Sequence, residues 1–201
     1  MSWINEISYE AAEGRLKKLY EQVKGPDNNI DNILSIHSLR PHTLTGHMAL
    51  YKNVLHNSAN TLPKWYLETL GIYVSFLNAC SYCVTHHLAG MKRELGDDQR
   101  AHQIHQSILN DNLSTSFEGK ELAGLEYGKK LTLSHKEIKE SDIAALRKAG
   151  FEDGEILEVN QVVSYFNYVN RTVLGLGVNT NGDVIGLSPG DSDDVDNWSH
   201  R

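Results

Sequence analysis

Between Lys64 and Lys92 the chain carries a single side chain of the Asp, Glu, Lys or Arg type, Glu68. So long a stretch with almost no charge belongs in the interior, because its apolar side chains gain by leaving water. Trp65-Tyr66-Leu67-Glu68-Thr69-Leu70-Gly71-Ile72-Tyr73-Val74 is apolar almost all round a helical wheel, the mark of a buried helix. Thr61 and Pro63 start that helix, and a second one runs to a glycine stop at Leu95-Gly96. A turn near Leu77 to Ala79 folds the two into an antiparallel hairpin that the rest of the chain must cover.

Both cysteines lie in this hairpin, at Cys80 and Cys83. Two residues between them put the thiols one helical turn apart, at ~5.5 Å between α-carbons, within the range a disulfide accepts. They can therefore oxidise against each other. His87 follows Cys83 by four residues and stacks over the same helical face. On one straight helix Glu68 would lie ~18 Å from Cys80, too far for proton transfer. Folded back, it comes level with His87, and desolvation should raise its pKa and suit it to passing protons.

Other readings of these residues compete. The thiols could be small buried hydrophobes. Zinc on Cys80, Cys83, His86 and His87 would normally draw a second ligand pair from a distant segment. Covalent haem needs histidine directly after the second cysteine, where Val84 stands, and a thioredoxin-type site needs a strand leading into the dithiol. His86 points ~100° away from His87 and reads as a surface or interface histidine. Tyr82 either offers its hydroxyl to the site or packs in the core. Asn167, Asn170 and Arg171 interrupt an apolar helical face, as a site wall, a cap or a subunit contact would. His102 and His105 lack the spacing and carboxylate partners of a metal motif.

A chain of 201 residues suits one domain and can bury ~70% of its unfolded surface without staples. The net charge of −7 and the lack of a basic cluster argue against a nucleic-acid partner. No apolar run reaches ~18 residues, and Met1-Ser2-Trp3-Ile4-Asn5-Glu6 does not have the order of a signal peptide. A cytoplasmic protein without a membrane partner is the expectation, and there a Cys-x-x-Cys is reduced, and catalytic or metal-binding.

Caps and helical spacing predict an all-helical chain. Ser8 caps a helix from about Tyr9 to Val23, with a Glu13 to Lys17 pair. Ile30, Ile33, Leu34 and His37 follow helical spacing, and Pro41 opens a helix reaching Ser58-Ala59-Asn60. Asp97 caps the helix of His102 to Ile108, and a loop spans Asn110 to Ser116. Phe117 to Leu133 is helical despite Gly119, Gly124 and Gly128. Ser141 caps Asp142 to Ala149, Gly150 ends it, and a long helix carries Ile156 to Val173. The acidic tail through Asp191-Ser192-Asp193-Asp194-Val195-Asp196 is solvated or docks on another subunit.

Glu68, eleven intervening residues, Cys80, two residues, Cys83, three residues and His87 resemble the signature of the alkylhydroperoxidase D-like branch of the carboxymuconolactone decarboxylase superfamily. Tyr82 stands where alkylhydroperoxidase D itself has a histidine, as it does in many relatives. Tyr165-Phe166-Asn167-Tyr168-Val169-Asn170-Arg171 with Leu174-Gly175-Leu176-Gly177-Val178 resembles the peroxidase-related subgroup. The resemblance covers roughly Pro41 to Val178. It implies one all-helical domain over 1–178, with 1–40 an N-terminal extension, 41–178 the core and 179–201 an arm, in a homo-oligomer of dimer to hexamer size. It also implies a peroxidase in which Cys83 attacks a hydrogen peroxide or organic hydroperoxide oxygen. Cys80 then resolves the sulfenic acid to a disulfide, while Glu68, His87 and Tyr82 serve the site. An external dithiol, lipoylated or thioredoxin-like, would reduce it, and no bound cofactor is implied. A decarboxylase-type lyase on the same fold and a non-catalytic redox sensor are the rival functions.

Overall fold

The computed structural model describes residues 2–200, which form nine α-helices and no β-strand. In chain order these are α1 (Gly14–Val23), α2 (Asn32–Ser35), α3 (Pro41–Leu55), α4 (Lys64–Leu77), α5 (Ser81–Leu95), α6 (Asp98–Leu109), α7 (Gly119–Leu133), α8 (Glu140–Lys148) and α9 (Asp153–Leu176). The molecule has the all-helical class expected of the sequence. Residues Tyr66 to Ser75 of α4 are all buried, because α5, α9 and α7 pack around it and α3 lies against α9. The near-chargeless helix is thus the axis of the core. No helix among the described residues is long and apolar enough to cross a membrane.

The connection between α4 and α5 is only three residues, and its geometry sets the site. Ala79 takes a left-handed φ of 56°, while Cys80 N donates to Ser75 O at 2.8 Å and Ala79 N to Phe76 O at 2.9 Å. These two bonds close a Schellman end on α4. The position normally belongs to glycine, since a left-handed L-residue costs roughly 1–2 kcal/mol. The chain therefore holds a strained alanine directly before Cys80, and the reversal drops Cys80 at the N-cap of α5.

Several boundaries differ from expectation. α1 starts at Gly14, not Tyr9: the Ser8 hydroxyl accepts from Ala11 N at 3.3 Å, but in an isolated turn, and Gly14 has a φ of 53° that restarts the chain in a new direction. Lys17 lies over the Tyr9 ring, 3.3 Å from its centroid. α3 stops at Leu55, and Asn57 instead bridges to Ser192. α8 begins at Glu140 because Lys139 N donates to the Asp142 carboxylate at 2.7 Å, so Asp142, not Ser141, closes its first turn. In α7, a Cβ at Gly124 would collide with the Tyr66 hydroxyl. That glycine weakens the helix but lets it reach α4.

The tail docks on its own chain, while the acidic run within it keeps Asp191, Asp193, Asp194 and Asp196 exposed, as its charge led one to expect. Asn32 Nδ2 donates to Asn179 O at 2.7 Å and Asn181 O at 3.1 Å. Arg93 donates to Gly186 O at 2.7 Å and Ser188 Oγ at 2.9 Å. The buried Lys52 ammonium donates to Gly190 O at 2.5 Å, and Lys64 pairs with Asp191 at 2.5 Å. Trp198 and His200 are buried. Apolar anchors and basic partners on α3, α4 and α5 outweigh the acidity that suggested a free segment.

Candidate active site

The helix start at Cys80 and the helical pitch determine how the two thiols meet. Cys80 is the N-cap of α5 and Cys83 sits in its first turn, with Sγ atoms 3.1 Å apart, a contact between two free, buried thiols. The pair is not symmetric. Cys80 is held below the usual thiol range by the hydrogen bond from Cys83, against its burial, and further by the Cys83 backbone N–H and Asn170. Cys83 is pushed well above that range by donating to Cys80 and by burial. Of the two thiols, Cys80 is therefore the more readily ionised.

Glu68 of α4 and His87 of α5 meet as expected from the fold-back, with Oε2 and Nδ1 2.6 Å apart. Burial raises the Glu68 pKa, but the His87 charge and hydrogen bond more than reverse this, and the carboxyl ends below its ordinary value. The expected raised pKa is corrected on that ground: the lone carboxylate of the segment is not isolated but paired. Gly90 lies beneath it, where a Cβ would be 3.1 Å from Glu68 Oε1. Phe166 of α9 meets the His87 ring edge-on at 4.6 Å, and Tyr51 does so at 6.3 Å.

Cys83, Glu68 and His87 line one cavity of about 40 Å³, whereas Cys80 lies behind it at 0% exposure. A cavity needs roughly 10–15 Å³ of such volume per water-sized guest. The space suits a molecule of a few heavy atoms, and of the two sulfurs it opens onto that of Cys83.

Tyr82 also lines the cavity, but its hydroxyl donates to Asp183 at 2.6 Å and accepts from Ile33 N at 3.2 Å. It fastens the tail to the site, leaving its ring as wall. His86, read as a surface or interface residue, instead faces the same cavity, with its ring 4.6 Å from that of Tyr82 and its Nε2 3.3 Å from Asp183 Oδ2. The tail gives it a buried partner that helical phase could not reveal.

Asn170 of α9 is fully buried, donates to Ser75 Oγ at 3.0 Å and accepts from Asn78 Nδ2 at 3.0 Å. It lowers the pKa of both thiols. The interruption of the apolar face at this position was the available signal. Arg171 is exposed and bonds to Asn167 O at 2.6 Å, and His102 is exposed on α6. No group of three or more His, Cys, Asp or Glu side chains able to hold a metal occurs among the described residues.

No protein-family model and no curated protein matches the chain. Solved structures do. An uncharacterized peroxidase-related protein from a Silicibacter species is 25% identical with a TM-score of 0.66, covering 73% of this chain and 74% of that one. Another, from Ralstonia eutropha and described as an alkylhydroperoxidase AhpD core, is 21% identical with a TM-score of 0.76, covering 89% and 91%. A protein of unknown function from Agrobacterium tumefaciens, whose description suggests an AhpD antioxidant defence protein, is 21% identical with a TM-score of 0.59, covering 72% and 94%.

Proposed function

We propose that this chain, of the alkylhydroperoxidase D-like superfamily and its peroxidase-related subgroup, is a thiol peroxidase that reduces hydrogen peroxide or a small organic hydroperoxide through Cys80 and Cys83. The observation that carries the reading is the close, asymmetric thiol pair, more readily ionised at Cys80 and facing a small cavity at Cys83, beside the Glu68–His87 couple. Neighbours described as peroxidase-related support an antioxidant role at the level of the family. The cavity size favours hydrogen peroxide over bulky lipid hydroperoxides.

In the cycle, the Glu68–His87 couple accepts the first proton of the pair, and the second stays between the sulfurs. Cys83 hands that proton to Cys80 as it attacks the terminal peroxide oxygen from the cavity. An S–O bond forms and the O–O bond breaks: sulfur is oxidised to sulfenic acid, and the departing oxygen is reduced and leaves as water or alcohol with one proton, which balances the proton given up to the couple. Cys80 then attacks Cys83 Sγ; its proton leaves with the hydroxyl as water, and a Cys80–Cys83 disulfide results. An external dithiol protein, lipoylated or thioredoxin-like, restores the pair by exchange.

Stopped-flow mixing of reduced protein with hydrogen peroxide, followed by thiol counting, tests the reading. Wild type should lose two thiols within one chain. Cys83→Ser should not react, and Cys80→Ser should react once, slowly for want of the internal base, and stop as a trappable sulfenic acid. Two thiols that persist in wild type would refute it, and the reverse pattern in the single variants would move the attack to Cys80.

A further inference from the structure

When the O–O bond breaks, the departing oxygen must gain a proton, and a second acid–base cluster borders the same cavity. α5 presents two pairs one turn apart, Cys83 with His87 and Tyr82 with His86, and each imidazole faces a carboxylate from another segment: Glu68 for His87, and Asp183 of the tail for His86. A further carboxylate, Asp31 at the start of α2, interacts electrostatically with both His86 and Asp183. Asp31 is 5% exposed, lines the cavity, and its Oδ1 is buried with no hydrogen-bond partner among the described residues. A buried carboxyl oxygen left unpaired is costly, and the residue that carries it borders space for a small polar molecule.

Resting on the peroxidase reading, we propose that Asp31, held beside His86 and Asp183, is the acid that protonates the oxygen leaving as the O–O bond breaks. Two carboxylates sharing a buried site do not both ionise readily, so a proton stays with them. Burial pushes Asp31 up to about 7, opposed by His86 and reinforced by Asp183. Among the other groups around the cavity, burial pushes His47 down to about 3 and His200 to about 4, so both are neutral, and Glu68 lies below its ordinary value; the proton taken up by the Glu68–His87 couple is the rival source, and an Asp31 variant with no loss would assign the step to it. In the step, the Cys83 thiolate, the hydroperoxide and the protonated Asp31 give the sulfenic acid, the alcohol or water, and the Asp31 carboxylate. Asp31 then regains its proton from solvent.

An acid of this kind is needed only when the leaving oxygen is a strong base. Hydrogen peroxide expels hydroxide, whereas peracetic acid expels acetate, a far weaker base. In single-turnover stopped flow at neutral pH, Asp31→Asn should slow oxidation by hydrogen peroxide about 10²-fold while leaving the rate with peracetic acid within about 3-fold of wild type. Asp183→Asn, which removes the charge that helps keep the Asp31 proton, should show the same contrast in smaller measure and stands in if Asp31→Asn does not fold by circular dichroism. Equal loss with both oxidants, or no loss with either, overturns the proposal while leaving the peroxidase intact. A wild type inert to both oxidants sinks the peroxidase reading and this inference with it.

Discussion

Gly71 of α4 and Gly46 of α3 both sit inside helices, and the structure predicts opposite results from the same substitution. At Gly46 a Cβ meets nothing within 4 Å. Gly46→Ala should therefore realise the helix-propensity difference of about 1 kcal/mol. At Gly71 a Cβ would overlap two ring carbons of Phe166, with a third at 2.8 Å. Phe166 is fully buried between His87 and Tyr165, 4.6 Å and 5.3 Å away by ring centroids, so it has little room to yield. Overpacking of this kind costs about 1–3 kcal/mol, and the rigid surroundings put Gly71→Ala at or beyond the upper end, leaving a net loss of about 2 kcal/mol after the propensity gain. For a chain of this size 1 kcal/mol moves the Tm by roughly 2–4 °C. Melting followed by far-UV circular dichroism should show Gly46→Ala up by about 2–4 °C and Gly71→Ala down by about 4–8 °C. Because Phe166 buttresses His87, Gly71→Ala should also slow peroxide oxidation. A Gly71→Ala protein as stable as wild type would refute the close approach of α4 and α9 from which the sign was derived.

Asn170→Ala removes a donor that lowers both thiols, so the pH midpoint for alkylation of the pair by iodoacetamide should rise; an unchanged midpoint would separate Asn170 from the thiols. Ala79→Gly relieves the left-handed φ before Cys80 and should raise stability by about 1 kcal/mol, read from the urea midpoint. The buried neutral His47 and His200 have folded pKa values of about 3 and about 4, against an unfolded value near 6.5. The unfolded state binds the extra protons, so the stability they contribute is complete above pH ~6.5 and lost as pH falls toward those folded values. Asp31, pushed up to about 7, works the other way with one proton against two, so the urea midpoint should still drop between pH 7 and pH 5, and a rising profile would count against both burials.

The hairpin and its Glu68–His87 couple were legible because each follows from local periodicity plus one turn. A helix with a single charge must be central, and a reversal near Ala79 has only one register that brings its carboxylate beside an imidazole. What the sequence left hidden lies far apart in the chain. Asp31 and Asp183 carry no motif, and only the docking of the tail through Arg93, Lys52 and Lys64 brings Asp183 to His86. The acidity of the segment pointed the other way, since a charge run is normally solvated and its basic partners sit on three different helices.

The location of the thiolate was hidden for a different reason. Helical phase places His87 over Cys83, which favours a charge there, but a helix N-cap is decided by where the preceding helix ends. The strained Ala79 ends α4 so that Cys80, and not Ser81 or Cys83, takes the cap. The sulfur behind the cavity is then the more readily ionised of the two, while the sulfur that faces the cavity is pushed toward its neutral form. Such a division suits a dithiol that must spare its exposed thiol from unproductive ionisation and still have a base 3.1 Å away. It makes the order of events depend on one backbone turn: moving the cap, by lengthening the connection between α4 and α5 by one residue, should raise the pKa of the pair and slow the reaction with peroxide even though Glu68, His87 and both cysteines are all retained. A lengthened loop that reacts at the wild-type rate would show that the cap does not set the charge.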